Sequence, residues 1–204
     1  MGLTPISSGF QGSDIDFEDD NISPEISLTY AINDDITIYG AYKTGFKSGG
    51  IDNNSLPTGG LVVNLESQDP AVRQSSIDVL QYESEESDGG EIGLKARLLD
   101  RSLTLNVTAF RYVFENLQAQ IFDPAVFAFS TFNAGELTTQ GIDVDFIWLT
   151  DVPGLSLSGA WSFLDTEISG ELSAASGANL KGRQGGFAPD IAGNIAINWE
   201  TSLN

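Results

Sequence analysis

Apolar residues fall at every second position in seven separate stretches of this chain, and that period constrains its fold more than any other feature. A period of two belongs to a strand whose two faces meet different surroundings. The first stretch sets Ile26, Leu28, Tyr30 and Ile32 against Glu25, Ser27 and Thr29. The second carries Ile36, Ile38, Gly40 and Tyr42, and the third Ile92, Leu94, Ala96 and Leu98. The fourth has Leu103, Leu105, Val107 and Ala109, and can be extended through Arg111 to Leu117. Ile142, Val144, Phe146 and Trp148 make the fifth, and Leu155, Leu157, Gly159, Trp161 and Phe163 the sixth. The seventh holds Ile191, Gly193, Ile195, Ile197 and Trp199. No segment of comparable length shows a helical period, so the expected class is all-β.

The connections between stretches alternate in length. Asn33 to Asp35, Asp100 to Ser102 and Asp151 to Gly154 are tight hairpin turns made of turn-forming residues. The intervening connections, about 47–88, 115–137 and 166–188, are long and rich in Gly, Ser, Asn and Asp. In an antiparallel up-and-down meander this alternation puts every tight turn at one end and every long loop at the other. Membrane-spanning barrels are built that way, with short turns on one side and long loops outside. The chain therefore reads as an incomplete segment, about seven strands, of a transmembrane β-barrel, with residues 1–22 as an acidic leading segment and 23–204 as the partial barrel.

Alternation alone does not say whether the apolar face meets a protein core or lipid. Two details favour lipid. Aromatic residues (Tyr30, Tyr42, Trp148, Trp161, Phe163, Trp199) fall near the expected strand ends, where an interfacial girdle would sit. Asp143 and Asp145 share one face in mid-strand, which suits a wet lumen.

Composition removes several functions. The net charge of −20, with nine basic residues scattered along the chain, argues against nucleic acid. Without His or Cys there is no Ser-His-Asp or Cys-His catalysis, no disulfide and no thiolate metal site. No apolar run reaches the ~20 residues of a spanning helix. Residues 1–5 have neither the basic nor the apolar part of a signal peptide, so the sequence favours a start inside a longer chain.

Several segments resemble the barrel of TonB-dependent outer-membrane receptors, particularly the siderophore branch. Tyr39–Gly50 (YGAYKTGFKSGG) is similar to a strand running into a surface loop. Glu91–Asp100 (EIGLKARLLD) and Leu103–Tyr112 (LTLNVTAFRY) resemble the family's recurrent hairpin. Asn133 and Ala134, Thr139–Asp145 (TQGIDVD), and Pro189 with Asp190 fit the strands that follow. The resemblance covers roughly residues 23–200. It implies a Gram-negative outer membrane and uptake of a scarce ligand such as a ferric siderophore. It also implies a plug domain, the TonB energy-coupling complex and outer-membrane lipid as partners, with no cofactor and no enzymatic activity.

No plug domain or energy-coupling box is visible in the chain. A family barrel has about 22 strands, so about three times this length would be needed to close one. The segment from Thr201 to Asn204 reads as the start of another short turn. An internal fragment is the expectation, because an open sheet would present two unpaired edges to lipid.

The candidate lumen residues are Lys95, Arg97, Asp143 and Asp145, which would touch a plug or steer ligand, or simply solvate the interior. The acidic run Asp14, Asp16, Glu18, Asp19 and Asp20 could attract Ca²⁺, but it lacks EF-hand order and reads better as a solvated loop. Glu83, Glu85, Glu86 and Asp88, placed just before the third strand, could share divalent cations with lipopolysaccharide phosphates or serve as solubilising charge. Gly182 to Gly186 lacks the ending of a phosphate loop and reads as an outer loop. Sequons at Asn53 and Asn106 carry no weight in a bacterial barrel. Alternative readings remain a soluble or surface-exposed β-sheet adhesin and a passive porin-like barrel; an outer-membrane enzyme is disfavoured by the lack of His.

Overall fold

The computed structural model describes residues 17–52, 67–123, 128–169, 179, 181–186 and 188–201. Its main feature is one seven-stranded antiparallel sheet built from β1 (Glu25–Ala31), β2 (Ile36–Lys47), β5 (Glu85–Leu98), β6 (Leu103–Glu115), β9 (Leu137–Leu149), β10 (Leu155–Ile168) and β11 (Ile191–Trp199). The neighbours follow chain order, β1-β2-β5-β6-β9-β10-β11. This is the meander expected from the alternation. The remaining elements lie inside the long connections: β3 (Gly50–Ile51), α1 (Pro70–Leu80) and β4 (Gln81–Tyr82) in the first, and β7 (Gln118–Asp123) with β8 (Ala128–Asn133) in the second.

Register keeps the apolar positions on one face across every strand. One pairing row runs Leu28, Gly40, Ile92, Ala109, Ile142 and Phe163 to Ile191. Another runs from Leu103 through Trp148 and Leu157 to Ile197. A slip of one residue in any pair would have broken these rows, because successive side chains change face. Among the described residues nothing packs over the face they form. Leu28 is 74% exposed and Ile197 68%. Buried apolar residues among those described are only Leu80, Ala96, Ala134 and Ile168. A water-soluble sheet covers such a face with a second layer, and a contiguous exposed apolar band marks an interaction surface.

The tight turns are held by local bonds. Asn33 Oδ1 accepts from the Asp35 amide at 2.9 Å, an Asx turn between β1 and β2. Leu99, Asp100 and Arg101 take successive left-handed φ values of 53°, 52° and 69° to reverse β5 into β6. Gly154 closes β9 into β10 at φ 77°, and a Cβ there would overlap the Glu200 carbonyl oxygen. Only glycine meets both demands.

Two expectations need correction at the loop end. The strands run further than the alternation does. β5 begins at Glu85 and β10 continues to Ile168, because ladder hydrogen bonds join backbones whatever the side chains. Glu85, Glu86 and Asp88 therefore stand on β5 rather than ahead of it. The first long connection also contains a helix where no helical period was read. Asp69 accepts the Ala71 amide at 2.9 Å and Pro70 occupies the first turn, so capping starts α1 despite its weak amphipathic pattern.

Candidate lumen wall and outer loop platform

The face opposite the apolar band is polar, and it gathers all four candidate lumen residues. Lys95 lies beside Thr37 and Asn106, and Asn106 lies beside Asp145. The Asn106 side-chain amide donates to Asp145 Oδ2 at 2.7 Å. Lys95 Nζ stands 5.5 Å from the centre of the Tyr39 ring, within cation–π range. Tyr39 in turn bonds Thr108 at 2.9 Å between hydroxyl oxygens. Asp143 sits between Thr108 and Ser162. Among the described residues no ion pair joins Lys95 or Arg97 to Asp143 or Asp145. Lys95, Asp143 and Asp145 are exposed on this wall, so the ladder presents both signs of charge to whatever fills the space beside it.

Arg97 has a different setting. It is near the tight-turn end, where its Nη2 donates to the Asp34 carbonyl at 2.7 Å and its Nε lies 3.6 Å from Asp35 Oδ1. Arg101 Nε meets the same carboxylate oxygen at 2.7 Å. One Asp thus joins the first and second turns through two guanidinium groups.

Sequence reasoning missed the densest cluster on the polar face. Glu91 takes Lys43 Nζ at 3.1 Å on one oxygen and the Tyr112 hydroxyl at 3.1 Å on the other. Glu25 lies 4.0 Å beyond Lys43. Counting back by twos from Lys95 places Glu91 on this face, but its partners are set by register between strands 48 and 21 residues apart in sequence.

Above the sheet, polar side chains stitch the first two long connections together. Asn133 donates to the carbonyls of Glu83 at 2.9 Å and Asn116 at 2.8 Å, and accepts the Glu83 amide at 2.7 Å. Gln118 donates to the Ser48 carbonyl at 2.9 Å, and its own amide meets Glu85 Oε2 at 2.7 Å. Beneath them Ala134 and Ile168 are buried against Leu117, Phe132 and Leu137. Asp19 ties the leading segment to this platform through the Gly49 amide at 3.0 Å and the Ser84 hydroxyl at 2.8 Å. The Gly49 amide, then Ser84 and Ser48, stabilise its charged form and hold its carboxyl below the usual 3.8. Asp14, Asp16 and Asn53 lie outside the described residues. No group of three or more candidate ligands could hold a metal ion among the described residues.

The third connection is fastened separately. The Gly185 amide donates to Thr166 Oγ1 at 2.8 Å, and the Ile168 amide to the Arg183 carbonyl at 2.9 Å. Gly182 adopts φ 74° in a turn against β10, and among the described residues no helix follows it as a phosphate loop would require.

The six aromatic girdle candidates all fall on the apolar face by register. Tyr30, Trp148 and Trp199 lie within two residues of the turn-end limit of their strands. Tyr42, Trp161 and Phe163 are interior to theirs, because β2 and β10 extend beyond the alternating region at the loop end. The Trp161 indole stacks on Phe146 with ring centres 5.8 Å apart.

A single layer with one apolar face that is uncovered among the described residues, one polar face and sorted connections reads as barrel wall. The family profile described as "TonB dependent receptor-like, beta-barrel" matches residues 4–204. This chain belongs to the TonB-dependent receptor β-barrels. Members of that family are receptors and transporters of the Gram-negative outer membrane, not enzymes. Solved structures agree on the fold. The ferric yersiniabactin uptake receptor FyuA from Yersinia pestis matches at TM-score 0.60 and 19% identity, over 86% of this chain and 22% of that one. BauA, the ferric preacinetobactin receptor from Acinetobacter baumannii, matches at 0.58 and 18%, over 89% and 23%. The siderophore receptor PiuA from the same organism matches at 0.56 and 23%, over 86% and 23%. The chain thus spans between a fifth and a quarter of the length of these receptors.

Proposed function

We propose that the receptor containing this barrel wall takes up a scarce ligand, such as a ferric siderophore, across the outer membrane, energised through the TonB complex. The observation that carries the reading is the sheet itself: a register-aligned apolar face that no other described residue covers, opposite a polar face, in a chain of this receptor family. The apolar band faces lipid and the polar wall faces the lumen. The neighbouring solved receptors, named for ferric siderophores, support the ligand class.

In this reading the wall contributes positioning rather than chemistry. Lys95, Asp143 and Asp145 offer exposed charges to a plug domain or a passing ligand. Lys43, Glu91 and Tyr112 form a prearranged group with hydrogen-bonding capacity. Arg97 fastens the turn end, and the stitched loop platform presents the outer surface that meets ligand first. A soluble adhesin would need a second layer over the apolar band, and a passive porin would need no coupling complex.

The test is uptake of iron-55 from a panel of ferric siderophores by cells expressing the full-length receptor, in TonB-competent and TonB-deficient hosts. Uptake of at least one complex that disappears without TonB is the expected result. TonB-independent entry of small solutes would favour the porin, and surface display with no uptake the adhesin.

A further inference from the structure

Most glycines on the seven paired strands lie against an aromatic ring that occupies the space a side chain would have filled; Gly45 instead lies against the Ser87 hydroxyl, and a Cβ at Gly90 would press on the Ala41 carbonyl oxygen at 3.1 Å. Gly93 faces Tyr39, Gly89 faces Tyr112 and Gly141 faces Phe110, all on the polar side. On the apolar side the Trp161 indole covers both Gly159 and Gly193. A Cβ at any of these would collide with its ring.

Gly40 differs. It is paired with Leu28 and Ile92 on the apolar face, one strand in from the β1 edge. A Cβ there would meet only the Glu91 carbonyl oxygen, at 3.7 Å, an ordinary contact. The backbone does not demand glycine at this position, and no ring covers it. What results is an open groove of about 610 Å³, walled by Ile26, Leu28, Tyr30, Ile38, Tyr42 and Ile92. That lies within the range of about 300–1,000 Å³ common to small-molecule sites.

We propose that this groove seats one acyl chain of an outer-membrane lipid. The inference rests on the reading of the apolar face as lipid-facing, and the groove is continuous with that face. Its walls are side-chain hydrocarbon and two aromatic rings. The Tyr42 hydroxyl donates to Asp88 Oδ2 at 3.1 Å, which turns its polar atom to the outer end and leaves its ring on the groove. A chain moving from bulk lipid into the groove gains nothing from the hydrophobic effect, since both places are apolar. It gains the dispersion contacts that the surrounding side chains lack while the space above Gly40 is empty.

The experiment uses the full-length receptor in mild detergent, with native mass spectrometry during titration by a defined phospholipid. Wild type should retain one lipid that Gly40→Phe loses, with its occupancy falling severalfold. Leu28→Phe, which narrows the groove from its wall without touching Gly40, should reduce the same adduct if Gly40→Phe does not assemble. Ala109→Phe, on the same face outside the groove, should leave retention unchanged. Equal retention in wild type and both groove variants would overturn the proposal. So would a change of oligomeric state in Gly40→Phe, which would assign the groove to a second copy, or loss of a co-purifying protein, which would assign it to a partner. A nitroxide at an introduced Ile142→Cys, probed by oxygen and aqueous nickel accessibility, keeps the two readings apart. Aqueous access there removes the lipid-facing assignment itself, whereas hydrocarbon access with unaltered retention removes only the groove.

Discussion

The two ends of the same seven strands solve chain reversal differently. At the turn end, three or four residues suffice, and each reversal is made locally: an Asx turn at Asn33, three left-handed residues from Leu99 to Arg101, and Gly154 at positive φ, with Asp35 additionally linking the first two turns through Arg97 and Arg101. At the loop end, the chain leaves the sheet, forms a helix and two small two-stranded ladders, and returns. Its bonds there join residues far apart in sequence, such as Asn133 with Glu83 and Gln118 with Ser48. The difference separates tasks. The turn end fixes register by backbone conformation, and the loop end builds a polar surface whose shape is set by side chains.

Four changes would break or sharpen the comparison. Gly154→Val should have the largest effect, because it forces a β-branched residue into the left-handed region against the Glu200 backbone. About 3 kcal/mol of destabilisation is expected, read as a lower unfolding temperature of the full-length barrel and a loss of its heat-modifiable gel mobility. An unchanged melt would show that the turn end is not set by backbone conformation. Asn133→Ala removes three hydrogen bonds at the other end. About 2 kcal/mol of local stability should be lost, seen as faster hydrogen exchange over 81–85 and 116–133 with the strands and global melting little affected. Should the whole barrel melt earlier instead, the loop platform would be part of the wall's own stability.

Arg101→Gln cuts the shorter link from the second turn to Asp35. Both side chains are substantially exposed, so less than about 1 kcal/mol is expected, with the residual dependence on salt reduced. The smallest effect concerns Asp19. Its folded pKa lies below the usual 3.8, so its contribution to docking the leading segment is fully present above pH ~4. That contribution is lost as pH falls through the lowered folded value. Protection factors at Gly49 and Ser84, corrected for the intrinsic slowing of amide exchange in acid, should fall as pH is lowered below about 4, and Asp19→Asn should abolish the pH response. A pH response that survives in Asp19→Asn would trace the docking to another group.

The period of two from Ile26 to Trp199 determined the strands, their faces and the antiparallel meander, because alternation is written residue by residue and needs no partner. The sorting of short and long connections determined that the tight turns share one end and the long connections the other. Even the helix was partly legible, since Asp69 followed by Pro70 is a start signal, although no amphipathic stripe followed it. The candidate lumen residues Lys95, Asp143 and Asp145 could be placed on one face by counting. Their neighbours could not, because cross-strand partners depend on register between separate strands. The same reason hid the Lys43, Glu91 and Tyr112 group, the anchoring of Arg97 at a turn, and the bonds of Asn133 across two loops. The strand ends beyond the alternating region were also decided only in three dimensions, where backbone pairing continues with any side chain. So was the open space over Gly40, since a glycine in sequence does not say whether a neighbouring ring fills the gap it leaves.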